Sequence, residues 1–235
     1  TVSALVRDLH EHAVVEHFDR QLVVNARCGA SHGRRGYRGI VMTRTVQFTT
    51  SDDVTLNGDM SIPDAPRAAA IICHPHPQHG GNRQNNVVQA LFDALPGAGI
   101  AALRFDFRAA FDHGRGERLD ATTAVDFVSA EVPGVPLFAV GYSFGAAIVL
   151  GLDDERLAAK VLVAAPLAAM DVSRGMDVDT LILTPAHDQF SSPDATEAII
   201  SEWPQTTHET IASADHFLVG RTARVAEHTL KFLTA

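Results

Sequence analysis

The residues best suited to chemistry in this 235-residue chain lie in Gly141-Tyr142-Ser143-Phe144-Gly145. The spacing is Gly-x-Ser-x-Gly. An apolar run over residues 136–140 precedes it, and Ala146-Ala147-Ile148-Val149-Leu150 follows. The first run predicts a short buried strand and the second a buried helix. A serine between them sits on a sharp strand-to-helix turn, where small neighbours leave room for the backbone. Its hydroxyl would stand clear of the main chain at a helix N-terminus, where developing negative charge is favoured. Many chains contain this pattern by chance; the strand before it and the helix after it are what give this copy weight.

A serine hydroxyl is a poor nucleophile until a base takes its proton during attack. Two later loops offer the missing groups. After the apolar run 180–184 comes Pro185-Ala186-His187-Asp188-Gln189, and after the run 207–211 comes Ala212-Ser213-Ala214-Asp215-His216-Phe217. His216 is the expected base. Asp188 is the expected acid that orients the imidazole and stabilises its charged form, with His187, Asp179 and Asp194 as neighbouring competitors. The chain order serine, acid, histidine adds specificity that no one of the three has alone. An oxyanion formed at the attacked carbonyl needs two N–H donors. Phe144, directly after the serine, is expected to give one. His76 is the best donor in His74-Pro75-His76-Pro77, because prolines have no N–H. His74 reads equally well as a buried histidine bonded to backbone.

These groups need a frame that brings separate loops together. Residues 45–49 and 54–60 alternate around Ser51-Asp52-Asp53, which predicts an antiparallel hairpin. Continuous apolar runs at 68–73, 100–106, 136–140, 160–165 and 180–184 read as strands covered on both faces. Between them lie expected helices at 85–95, 117–130, 146–150 and from Ser191-Ser192-Pro193 to Trp203; a last helix spans 222–233. Prolines and glycines keep residues 74–82 out of helix and strand. This alternation predicts an α/β fold, a doubly wound, mostly parallel sheet with an N-terminal antiparallel hairpin. In such a sheet reactive groups collect beyond the carboxyl ends of strands. Residues 42–235 read as one domain. Residues 1–41 hold six arginines, no lysine and four acids, with a glycine- and arginine-rich stretch that has no core pattern. They read as a disordered or non-native extension.

Four groups of residues carry a family resemblance: His74 to Pro77 with Gly80-Gly81; Arg104-Phe105-Asp106-Phe107-Arg108; Gly141 to Ala146; and Ala214-Asp215-His216-Phe217. Together they make residues 68–220 resemble the small predicted hydrolases of the α/β-hydrolase superfamily. Dienelactone-hydrolase-like esterases are more distant relatives that use cysteine where Ser143 stands. The resemblance implies a serine hydrolase acting on an ester or related acyl bond. One departure is visible. The family usually continues after Arg108 with a glycine-rich turn and a serine, whereas here Ala109-Ala110 run straight into Phe111-Asp112-His113-Gly114. A loop at the mouth of the site is therefore expected to be shortened.

Composition narrows the partners. A net charge of −9, with no long basic block, argues against nucleic acid. No apolar run reaches a membrane span, and Cys28 and Cys73 lie in contexts too different to suggest a disulfide, which fits the cytoplasm. The expected partner is a small-molecule acyl substrate, with no cofactor; oligomeric state is not legible. Phe107, Phe111, Tyr142, Phe144, Met170 and Phe217 are candidates for an apolar acyl pocket. Two other readings compete. His74, His76 and His79 could hold Zn²⁺ for a metal-dependent hydrolysis, although Gln78 stands where such a motif needs an acid. The fold could also persist as an inactive binding module.

Overall fold

The computed structural model describes residues 41–170 and 174–235. The extension expected over 1–41 lies outside the described residues except at Val41, which opens the first strand. β1 (Val41–Thr49) and β2 (Thr55–Pro63) form the antiparallel hairpin. It starts four residues earlier than the alternation at Thr45 suggests, because Val41 to Arg44 are exposed and carry no burial signal.

The remaining strands are β3 (Ala68–Cys73), β4 (Ile100–Phe105), β5 (Leu137–Tyr142), β6 (Leu157–Val163), β7 (Asp179–His187) and β8 (Thr206–Asp215). They form one eight-stranded sheet in the order β1-β2-β4-β3-β5-β6-β7-β8, parallel from β4 to β8. The chain moves outward from β3 to β4, then crosses back to β5 and continues the other way. The loops leaving β3 and β5 therefore diverge, and such a switch point opens a crevice at the carboxyl edge.

Both faces are covered, as the unbroken apolar strands require. Along β3, Ala69, Ile71 and Cys73 face one core with α2 (Arg115–Glu131) and α3 (Phe144–Leu150). Ala68, Ala70 and Ile72 face the other, with α1 (Asn86–Ala94) and α5 (Thr222–Leu233). α4 (Pro193–Ile200) adds Ile200 to the first core. Local chemistry sets the helix starts. The Asn85 side chain accepts from Val87 N–H at 2.9 Å, and Ser192 accepts from Ala195 N–H ahead of Pro193. Glu117 in the first turn of α2 accepts from Gly114 N–H at 2.8 Å, half of a capping box.

Residues 74–82 hold one surprise. Pro77–His79 form a turn of 3₁₀ helix closed by Gly80 at φ 82°. Pro77 does not oppose it, because the first residue of a helix needs no N–H. β7 and β8 are also longer than their apolar runs, so Asp188 and His216 each follow directly on a strand end.

Candidate active site

The turn after β5 is compressed by close backbone approach. A Cβ at Gly141 would lie 2.2 Å from the Gly145 carbonyl oxygen, and one at Gly145 would lie 2.3 Å from that of Cys73. Only glycine fits either place. Between them Ser143 adopts φ 55° and ψ −118°, and its N–H donates to the Val163 carbonyl at 2.9 Å. This aims the hydroxyl over the carboxyl edge of the sheet.

Ser143 Oγ lies 2.9 Å from His216 Nε2, and His216 Nδ1 lies 2.9 Å from Asp188 Oδ2. A carboxylate at that position accepts, so Nδ1 carries the proton and Nε2 is left to accept from the hydroxyl. The second oxygen of Asp188 accepts from Phe190 N–H at 2.8 Å and Ser191 N–H at 3.2 Å. The buried carboxylate is thus fully used. His216 is held from its backbone as well: the Tyr142 hydroxyl donates to its carbonyl at 2.8 Å, and its N–H donates to Gln189 Oε1 at 3.2 Å. Burial pushes the Tyr142 phenol well above its usual value, so it stays a donor.

The competing acids lie elsewhere. Asp179 opens β7 at the opposite end of the strand, and Asp194 sits in the first turn of α4. His187 is exposed at the end of β7. Sequence reasoning missed Gln189, Phe190 and the tethering part of Tyr142. Their contacts depend on loops meeting in space, and no spacing rule signals them.

The loop leaving β3 lies against the elbow. His74 is 1% exposed. Its Nδ1 lies 2.6 Å from the Pro75 carbonyl and its Nε2 accepts from Phe107 N–H at 3.0 Å, so it is a neutral histidine joining two loops. Burial holds its pKa below the usual imidazole value. The His76 ring packs 4.8 Å from that of Phe144, 4.6 Å from Phe111 and 4.7 Å from His79, measured between centroids. Burial and the neighbouring His79 lower the His76 pKa. The rings of the two residues expected to donate to the oxyanion are therefore in contact. Among the described residues, neither the His76 N–H nor the Phe144 N–H is taken by a turn or cap acceptor.

The same geometry removes the shared site that a zinc reading requires. Both His74 ring nitrogens are engaged by backbone, and His76 Nδ1 accepts from Gln78 N–H at 3.2 Å. Among the described residues, no three histidine, cysteine or acidic side chains are grouped to hold one ion.

The loop after Arg108 is pinned at both ends. The Arg108 guanidinium meets Asp120 at 2.8 Å and Asp52 at 2.8 Å, and its N–H donates to Asp120 at 2.9 Å. Glu117 accepts from Asp112 N–H and Gly114 N–H. The segment between carries Phe111 over His76. Of the other pocket candidates, Phe107, Tyr142 and Phe144 are buried in the core, while Met170 and Phe217 are exposed.

No protein-family model matches the chain. An uncharacterized protein of Rickettsia prowazekii is 37% identical over 101 residues, which is 40% of this chain and 42% of that protein. The chain thus spans less than half the length of the curated relative it matches. The solved structure of an alpha-beta serine hydrolase homologue from Coxiella burnetii is 25% identical, with a TM-score of 0.72 over 80% of this chain and 96% of that one. An a/b serine hydrolase without lid from Xanthomonas campestris is 24% identical, with a TM-score of 0.75 over 82% of this chain and 94% of that one. The sheet order, the elbow and these likenesses define an α/β-hydrolase fold. This chain is a small protein of the α/β-hydrolase type. Among its described residues, no helix is long and apolar enough to cross a membrane.

Proposed function

We propose that this protein is a serine hydrolase that cleaves small ester or related acyl bonds through an acyl-enzyme on Ser143. The observation that carries the reading is the unbroken relay from Ser143 Oγ through both nitrogens of His216 to Asp188, each link 2.9 Å. As Oγ attacks the carbonyl carbon, its proton passes to Nε2 and the carbonyl π electrons move onto oxygen. The N–H groups of Phe144 and His76 are the proposed donors to that oxyanion. Collapse of the adduct breaks the bond to the leaving oxygen, which takes the proton from Nε2. Water then repeats the sequence, with His216 as base, and releases the acid. Asp188 keeps the proton on Nδ1 and stabilises the imidazolium. No step calls for a metal or cofactor. The proposed partner is a small-molecule acyl substrate, and the proposed compartment is the cytoplasm.

A fluorophosphonate probe, with a panel of p-nitrophenyl esters and acyl-thioesters of graded chain length, tests this. Wild type should label and turn over. Ser143→Ala should lose labelling and about 10⁶ in turnover. Folded wild type that neither labels nor hydrolyses any of the panel would leave the binding-module reading in its place.

A further inference from the structure

Eleven phenylalanines lie among the described residues, and only Phe190 and Phe217 are exposed, at 48% and 57%. Both pack on the same side chain. Phe190 meets the His216 imidazole at 4.5 Å and 62°, and Phe217 meets it at 5.9 Å and 87°. His216 itself is 6% exposed. The two rings thus shelter the imidazole while presenting apolar surface outward. A single exposed apolar side chain is ordinary. Two exposed aromatic rings in contact with one imidazole of the site form a surface with a place in the proposed reaction.

That place follows from proton transfer. Nε2 must hand its proton to the leaving oxygen, so this atom lies within hydrogen-bond reach of the ring, about 3 Å. Whatever is bonded to that oxygen extends outward past the imidazole, and the exposed rings in contact with that imidazole are those of Phe190 and Phe217. The Asp215 carboxylate accepts from the Phe217 N–H at 3.1 Å, which sets a negative charge beside this surface. A leaving group carrying an anion would be repelled. We infer that Phe190 and Phe217 form a leaving-group subsite selecting esters whose alcohol part is neutral and aromatic. The inference rests on the acyl-transfer reading above.

The test uses acetate esters of ethanol and benzyl alcohol. Their alcohols are similarly poor leaving groups, and both give the same acetyl-enzyme. Any difference in kcat/KM therefore arises before the shared intermediate. Wild type should prefer the benzyl ester by about tenfold or more, and Phe190→Ala and Phe217→Ala should each lower that ratio about fivefold. Phe190→Tyr and Phe217→Tyr, which keep the ring, should restore it. A wild-type ratio near one would overturn the subsite. So would variants in which both esters slow together, since the rings would then act only by holding His216. Wild type that hydrolyses neither ester and resists the fluorophosphonate probe would sink the acyl-transfer reading, and this inference with it.

Discussion

His216 is gripped at four points: Asp188 and Ser143 through its ring, Gln189 and Tyr142 through its backbone. The ring contacts bear on protonation and the backbone contacts on position, so their losses should differ in kind. Asp188→Asn should reduce kcat by about 10⁴, because the imidazole would turn to the wrong tautomer. Tyr142→Phe should lower kcat about fivefold, the cost of one modest hydrogen bond, with the KM for p-nitrophenyl acetate little changed. His74 offers a second contrast. Its folded pKa is depressed, so the unfolded chain binds the proton more readily. Stability from this residue is present above the ordinary histidine value, about 6.5, and is lost as pH falls below it. Protonated Nε2 would also face the Phe107 N–H, donor against donor. Urea midpoints at pH 7 and pH 5 should therefore converge in His74→Ala relative to wild type. The meeting of Ser143, Asp188 and His216 was legible because each sits in a motif at a strand end. Phe190 was not, since a phenylalanine two residues after an acid looks the same whether it packs on an imidazole or on nothing.

Among the elements, α3 is held close to the end of β3 by Gly145, which lies against the Cys73 carbonyl. Gly145→Ala would drive a methyl group against the Cys73 and His74 carbonyls and push the loop after β3 off the elbow. It should cost about 3 kcal/mol and slow fluorophosphonate labelling. Gly97→Ala, with nothing within 4 Å, should stay within about 0.5 kcal/mol of wild type. Lys160 ties a different set of elements. Only 2% exposed on β6, it donates to the carbonyls of Leu150 at the end of α3 and Leu152 just beyond it, and to that of Met176. Burial lowers its pKa to about 8. Between there and the unfolded value of about 10.4 the unfolded chain holds more protons, so this residue makes stability rise with pH across that window. Lys160→Met should abolish the rise and, by orphaning carbonyls, cost about 1–3 kcal/mol. The apolar runs showed where strands lie but not how far they extend. Pro185, Ser213 and Asp215 belong to β7 and β8 without looking like strand residues. Ser213 has φ 53°, a kink in β8 that periodicity cannot register.

At the scale of the whole molecule, alternation of strand and helix made the doubly wound class legible. The placement of β4 between β2 and β3 was not, since strand order depends on which way each crossover turns rather than on any residue pattern. That order is what parts the loops after β3 and β5 and makes room for the site. The elbow also affects the molecule's total stability. At φ 55° and ψ −118°, the backbone of Ser143 lies where a Cβ is crowded and only glycine rests at ease. Ser143→Ala and Ser143→Gly both delete the hydroxyl, but only the first keeps the crowded carbon. In most helices and strands alanine outranks glycine; here melting temperatures should reverse that order, with the glycine variant ahead by about 1–2 kcal/mol. The tension stored in one peptide would then be measurable as heat tolerance gained by a protein that has lost its proposed nucleophile.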